Sequence, residues 1–403
     1  MVTTMRGHVP TLQNSDFHSI KTNYAIHSLD RSLKIEQISE HDNFLIKEFA
    51  GEIMAYHNIS KVRVNKIVFH LVGWRRFIGP FAENSTGDLL CGINRLHEAR
   101  NSRGTLYKQN TIRDFVTVLK QFYGWLIENG HSDIPEEKVR KIRVPSKDRM
   151  TKTAADMLTP EEIEMIVGAA GSIRDKALIM TLYEGGLRVG EIGSLTWGAL
   201  VFDEHGVVAN VNFKTNKPRY IRLVMAREPL IRWRAMYPFQ AADDNLVFLN
   251  RSNRPMTYAA VRALLTKTAG RAGVTRHVTP HTFRHSRITH MIQEGYPESV
   301  IKLIMWGSVE ASEWATYAHL TGCDIDRAVL EKNGVATNEE TWKGVEGEKC
   351  PYCGILNPPA ARYCYQCGRP LVVEDTVSEL KKLLTSNPAV VQVLLETING
   401  SQS

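Results

Sequence analysis

The stretch Thr279-Pro280-His281-Thr282-Phe283-Arg284-His285 decides the fold of the largest domain of this chain. Thr279 suits an N-cap and Pro280 a first helical position, so a helix opens here. Three residues apart, His281 and Arg284 then share one helical face. An arginine fork can hold two oxygens of a phosphate while an imidazole beside it moves a proton. Alone, HxxR is a common surface pattern; its weight comes from what precedes and follows it.

Upstream, Glu184-Gly185-Gly186-Leu187-Arg188-Val189-Gly190-Glu191 follows an apolar helical run over residues 177–183. The paired glycines break that helix and let the backbone approach a ligand closely. Arg188 sits between apolar neighbours, where a guanidinium needs an anion or an in-protein partner, for which Glu191 is the candidate. Between the two motifs, residues 206–213 and 219–224 are rich in β-branched side chains. They predict a hairpin with Lys214 and Lys217 at its tip. Downstream, Thr316-Tyr317-Ala318-His319-Leu320 supplies a tyrosine, which can serve as a covalent nucleophile but more often packs with a polar tip.

Taken in order, Arg188 in GLRVGE, Lys214 at a hairpin, His281 and Arg284 in TPHTFRH and Tyr317 in TYAHL resemble the phage integrase family, the tyrosine recombinases, over residues 158–335. The resemblance implies a catalytic domain of the α+β integrase type, mainly helical with a small β-hairpin or sheet. It implies that Arg188 and Arg284 grip the scissile phosphate while Tyr317 attacks phosphorus to form a 3′-phosphotyrosine. Lys214 would protonate the leaving 5′-oxygen, and His281 would help Tyr317 lose and regain its proton. Lys217 shares the hairpin tip and is the alternative acid; the distance from Arg188 favours Lys214. Trp306, in Ile304-Met305-Trp306-Gly307-Ser308, matches the position of a family His or Trp and resembles archaeal-type members, with Trp and Gly in the reverse of the usual order. An indole there donates one hydrogen bond and cannot act as an acid. The implied partner is double-stranded DNA, bound by a self-associating tetramer, with no nucleotide or divalent ion needed for catalysis.

The rest of the chain falls into place around this domain. Residues 1–30 lack periodicity and are expected to form a loose arm. Over residues 31–131 apolar positions recur every three or four, as in Phe44, Leu45, Phe49 and Ile53, which predicts a helical bundle resembling the family's core-binding domain. Lys61, Arg63, Lys66, Arg75 and Arg76 interleave with Trp74 and Phe77 there, either as a DNA-facing surface or as a solvated face over packed aromatics. Residues 132–157 are polar and basic and read as a linker; Thr159, Pro160 and Glu162 then form a capping box.

After the catalytic domain, Cys350-Pro-Tyr-Cys353-Gly and Cys364-Tyr-Gln-Cys367-Gly are two matching knuckles, each closed by a glycine. Four thiolates at that spacing can surround one tetrahedral Zn²⁺, so residues 346–372 predict a structural zinc ribbon. Residues 373–403 follow as a helical tail. The fold expected is therefore multidomain and mainly α, ending in a small metal-stapled module.

Composition, with 43% hydrophobic and 23% charged residues, describes a soluble globular protein; the net charge of +7 weakly favours a polyanionic partner, since many basic proteins bind no nucleic acid. No apolar run is long enough to span a bilayer, and the polar N-terminus lacks a signal-peptide core, which places the protein in the cytoplasm. Two other functions are compatible with these motifs. A type IB topoisomerase shares the chemistry but relaxes DNA as one subunit. A non-catalytic zinc-ribbon regulator would have no use for a retained Arg188, Lys214, His281, Arg284 and Tyr317.

Overall fold

Reciprocal caps start two of the helices in the N-terminal part of the chain: Ser39 and Ser85 each accept the backbone N–H three residues on, and Asp42 and Asp88 reach back to the cap. The structure, a computed structural model, describes residues 17, 24–148, 156–211, 218–317, 345, 347–359 and 361–371. The chain divides into two compact units, residues 20–151 and residues 1–19 together with 152–403.

The first unit is a bundle of α1 (Tyr24–Lys34), α2 (Glu40–His57), α3 (Lys61–Trp74), α4 (Thr86–Glu98) and α5 (Gln109–Glu128), followed by the short α6 (Glu136–Lys141). Leu45, Ile46 and Phe49 of α2, Val68, Leu71 and Trp74 of α3, and Val116, Leu119 and Phe122 of α5 fill its core. Truncating any one of these to alanine would cost about 2–5 kcal/mol. The Trp74 indole spends its N–H on the Phe115 carbonyl at 2.9 Å, so the core carries no orphaned donor there.

Several details depart from the sequence pattern. Phe44, expected inside, is 51% exposed, because the buried stripe of α2 runs through residues 45, 46 and 49. Helix α1 begins at Tyr24, within the stretch expected to be loose; it is held by buried Leu29 and by Asn65, which accepts the Ala25 N–H at 3.2 Å. Arg75 does not join an outer basic face: its Nε lies 2.7 Å from the buried Asp42 carboxylate. The polar stretch after α5 lies against that helix, where Arg113 and Asn110 hold the Pro145 and Asp148 carbonyls at 2.6 and 2.9 Å.

In the second unit α7 (Pro160–Gly168) starts on the Thr159–Pro160–Glu162 capping box. Then come α8 (Ile173–Glu184), α9 (Val189–Ser194), and the strands β1 (Leu200–Asp203), β2 (Gly206–Val211) and β3 (Arg219–Leu223). The strands form one antiparallel sheet in that order, with Val201 opposite Val208 and Val207 opposite Leu223. β1 extends the expected hairpin; at four residues it is too short for alternation to declare it. The helices α10 (Arg227–Ala235), α11 (Tyr258–Arg271), α12 (Pro280–Gln293) and α13 (Glu298–Trp306) complete the unit.

α8 is buried on every side over residues 177–184, which makes it the axis of the domain. Its last residue, Glu184, accepts the N–H groups of Val224, Met225 and Ala226 at 2.6, 3.0 and 2.8 Å and so pins the chain leaving β3. Burial nevertheless pushes the Glu184 carboxyl above the usual range. No helix among the described residues is long and apolar enough to cross a membrane.

Candidate active site and metal centre

Gly186 follows α8 at φ +52°, and a Cβ there would lie 2.5 Å from Met305 Cε. Only glycine meets both conditions without strain. Its carbonyl accepts a hydrogen bond from Arg284 Nη1. The close approach expected at the glycine pair is thus an approach to the protein's own Met305 and Arg284.

Arg188 caps α9 and is tied twice to Glu191: its N–H donates to Oε2 at 2.6 Å and its Nη1 to Oε1 at 2.9 Å. Glu191 is buried and also accepts from Arg219 Nη2. Arg219 Nη1 donates onward to the Ile304 and Met305 carbonyls at 2.7 and 3.1 Å, and Arg284 Nη2 reaches the same Met305 carbonyl at 2.6 Å. Three guanidiniums are therefore linked through one carboxylate and the last turn of α13. Burial first, and then the charges of Arg188 and Arg219, pull the Arg284 guanidinium down to about 9. A cluster with this excess of positive charge can take up an anion.

Arg219 was not singled out from the sequence, yet its signal was present. It lies on the inward face of β3 with Ile221 and Leu223, where alternation demands an apolar residue and a charge must be paired.

α12 brings up the histidines. His281 is exposed in the first turn, Arg284 is buried, and His285 stands one turn beyond His281 on the same face. The Tyr317 hydroxyl is hydrogen-bonded to His285 Nδ1, with ring centres 5.6 Å apart. The His281 ring lies 6.3 Å from that of His285. The imidazole against the tyrosine is therefore His285, although the sequence drew attention to His281. Tyr317 itself is buried, which raises its hydroxyl above the ordinary range, an effect the Arg284 charge partly offsets.

Trp306 ends α13, with its ring 5.6 Å from the Arg284 guanidinium and 6.1 Å from the Tyr317 ring. Gly307 takes the left-handed conformation at φ +72° and stops the helix, which accounts for the Trp-Gly order. So Arg188, Arg284, Trp306 and Tyr317 converge, with His281 at the edge. Lys214 and Lys217 lie outside the described residues, as does the whole of the expected tail, residues 373–403.

Farther along, β4 (Glu348–Lys349) and β5 (Leu356–Asn357) pair antiparallel, with Cys350 and Cys353 in the turn between them and Cys364 and Cys367 after β5. The four sulfurs of Cys350, Cys353, Cys364 and Cys367 all lie within 4.8 Å of one another. Gly354 and Gly368, at φ +74° and +72°, return the chain so that their N–H groups bond the Cys350 and Cys364 carbonyls at 2.9 Å. Sγ separations of 3.6 Å (Cys350–Cys367) and 3.5 Å (Cys353–Cys364) suit a tetrahedral ion with bonds of about 2.3 Å, which sets sulfurs roughly 3.8 Å apart. Four close cysteines here can bind a metal.

Residues 156–322 match the phage integrase family. The tyrosine recombinase XerC of Alcanivorax borkumensis is 25% identical over 287 residues, which take in 66% of this chain and 91% of that protein. Among solved structures, the XerH site-specific recombinase bound to palindromic difH substrate is similar over 77% of this chain and 96% of that one, at 16% identity and a TM-score of 0.53. A lambda integrase tetramer bound to a Holliday junction is similar over 68% of this chain and 76% of that one, at 14% identity and a TM-score of 0.53.

Proposed function

Because the chain belongs to the phage integrase family, the tyrosine recombinases, we propose that it is a site-specific DNA recombinase acting through a covalent 3′-phosphotyrosine at Tyr317. The observation that carries this is the cluster in which Arg188 and Arg219 share the Glu191 carboxylate and Arg219 and Arg284 share the Met305 carbonyl, beside a tyrosine whose hydroxyl meets an imidazole. Such a cluster is built to receive a phosphodiester, and the tyrosine is placed to attack one.

In the proposed reaction Arg188 and Arg284 bind the non-bridging oxygens and stabilise the charge that develops on them. Tyr317 Oη bonds to phosphorus as the P–O5′ bond breaks. A histidine of the α12 face takes the tyrosine proton, and Lys214 gives one to the departing 5′-oxygen. Trp306 packs beside the Arg284 guanidinium and helps fix its plane. The phosphotyrosine conserves the bond energy, so a 5′-hydroxyl from a partner duplex can attack it and reseal the strand.

The first unit, residues 20–151, serves in this scheme as the core-binding domain that grips double-stranded DNA. The similar lambda integrase forms a tetramer on a Holliday junction, and we infer that this chain likewise self-associates on DNA. With DNA as its substrate, it works in the cytoplasm. The metal at the four cysteines is Zn²⁺, a choice supported by the all-thiolate donor set and the sulfur spacing.

The test is capture: incubate the protein with random genomic fragments, denature, and sequence whatever DNA remains covalently attached. A reproducible site attached through Tyr317, and no adduct with Tyr317→Phe despite retained DNA binding, is the expected result. An adduct on the Tyr317→Phe protein would sink the assignment.

A further inference from the structure

The hydroxyl of Tyr317 is buried, and burial raises its pKa, so the phenol will not ionise unaided near neutral pH. A proton acceptor must touch it at the moment of attack. His285 Nδ1 already holds that hydroxyl. His281, the histidine of the HxxR pattern, lies one turn away with its ring 6.3 Å from that of His285. The backbone fixes His285 in place: it is in the middle of α12, its carbonyl accepts the Thr289 hydroxyl at 3.1 Å, and buried Arg284 and Ser286 flank it.

We propose that His285 is a catalytic residue, the group that takes the Tyr317 proton on cleavage and returns it on resealing. This rests on Tyr317 being the nucleophile of the proposed reaction. As the Oη–P bond forms, the Oη proton passes to Nδ1 of His285 and the imidazole becomes imidazolium. The leaving 5′-oxygen takes a different proton, from Lys214, the acid of the proposed reaction. When a 5′-hydroxyl later attacks the phosphotyrosine, Nδ1 gives its proton back to the departing Oη, so the balance closes with no outside reactant. His281, exposed at the start of the helix, is left to contact the phosphate or to pass protons between His285 and solvent.

The experiment uses the full chain and a nicked suicide duplex carrying the sequence recovered by covalent capture. His285→Ala should lower the single-turnover cleavage rate about 10²-fold or more while DNA binding and the unfolding midpoint hold. The defect should persist on a duplex with a 5′-bridging phosphorothiolate, whose sulfur leaves without a proton, and added imidazole should restore part of the rate. His285→Asn retains a hydrogen-bonding atom near the position of Nδ1 but cannot take a proton, so it should be as slow as the alanine variant. A wild-type rate in His285→Asn would make the role one of positioning and overturn the proposal. Rescue of His285→Ala by the phosphorothiolate would move the residue to the leaving group and overturn it equally. Wild-type protein that forms no adduct would sink the recombinase reading and this inference with it; a normal adduct with undiminished cleavage by His285→Ala would sink this inference alone.

Discussion

Arg188 grips Glu191 twice, through its backbone N–H at 2.6 Å and its guanidinium Nη1 at 2.9 Å, and 30% of its side chain still opens to solvent. One edge of the fork is thereby fixed by the protein while the side chain remains reachable by a ligand. A lysine at this position could serve Glu191 or a phosphate but could not bridge them in one plane. Arg188→Lys should therefore bind DNA and lose cleavage by about 10²-fold or more in single-turnover assays. Arg284→Lys should lose as much activity and some stability as well, since Arg284 also holds the Gly186 and Met305 carbonyls. A near-normal rate in either variant would remove that arginine from the chemistry.

The proposed leaving-group acid, Lys214, can be separated from its alternative, Lys217. With a 5′-bridging phosphorothiolate the departing sulfur needs no proton. Cleavage by Lys214→Ala should then return to near the wild-type rate, whereas Lys217→Ala should cleave the ordinary and the sulfur substrate alike. Rescue confined to Lys217→Ala would transfer the role to Lys217.

A second tyrosine–histidine pair gives the catalytic unit its response to acid. The Tyr183 hydroxyl lies 2.7 Å from His290 Nδ1, and His290 Nε2 lies 2.9 Å from the Leu158 carbonyl. A neutral ring satisfies both partners, accepting at one nitrogen and donating at the other. Burial, reinforced by the Arg287 charge, holds His290 down to about 4 against its ordinary 6.5. Between those values the unfolded chain binds a proton that the folded chain refuses. Stability is therefore full above about pH 6.5 and falls as pH drops through the window, by about 3 kcal/mol at its lower end. His290→Gln should be less stable at pH 7 but lose less on going to pH 4.5, as read by thermal unfolding at both values. Parallel losses in variant and wild type would acquit His290.

Much of this was legible in the sequence, for identifiable reasons. The helices of the first unit follow apolar periodicity, and the Thr159 and Thr279 caps fall where short polar side chains precede proline. Arg188, Arg284 and Tyr317 were singled out because their motifs stand in a particular order. What escaped depends on pairing across distance. Nothing local says that Arg219 meets Glu191 from another element, or that Arg75 turns inward to Asp42. His285 was in plain view one turn after His281, but the HxxR pattern ends at Arg284, and only the fold brings Tyr317 against the next turn of α12.

The last prediction separates the two roles a metal could have. In the proposed reaction Arg188 and Arg284 supply the positive charge that metal ions give other nucleases, so cleavage should continue in EDTA at concentrations that leave the ribbon loaded. The cysteine cluster should hold one Zn²⁺ per chain. Its two strands of two residues bury too little to fold alone, so the binding energy of the ion is the folding energy of the module. Cys350→Ser with Cys353→Ser, or truncation before Glu348, should abolish bound zinc by elemental analysis. The covalent phosphotyrosine should still form on a suicide duplex at a rate within a few-fold of wild type. Affinity for DNA or assembly of the multimer can fall in these variants without touching that outcome. Protein purified without chelator that contains no zinc would refute the ribbon. A folded, DNA-bound variant lacking the cluster and unable to form the adduct would place the ribbon in the active site.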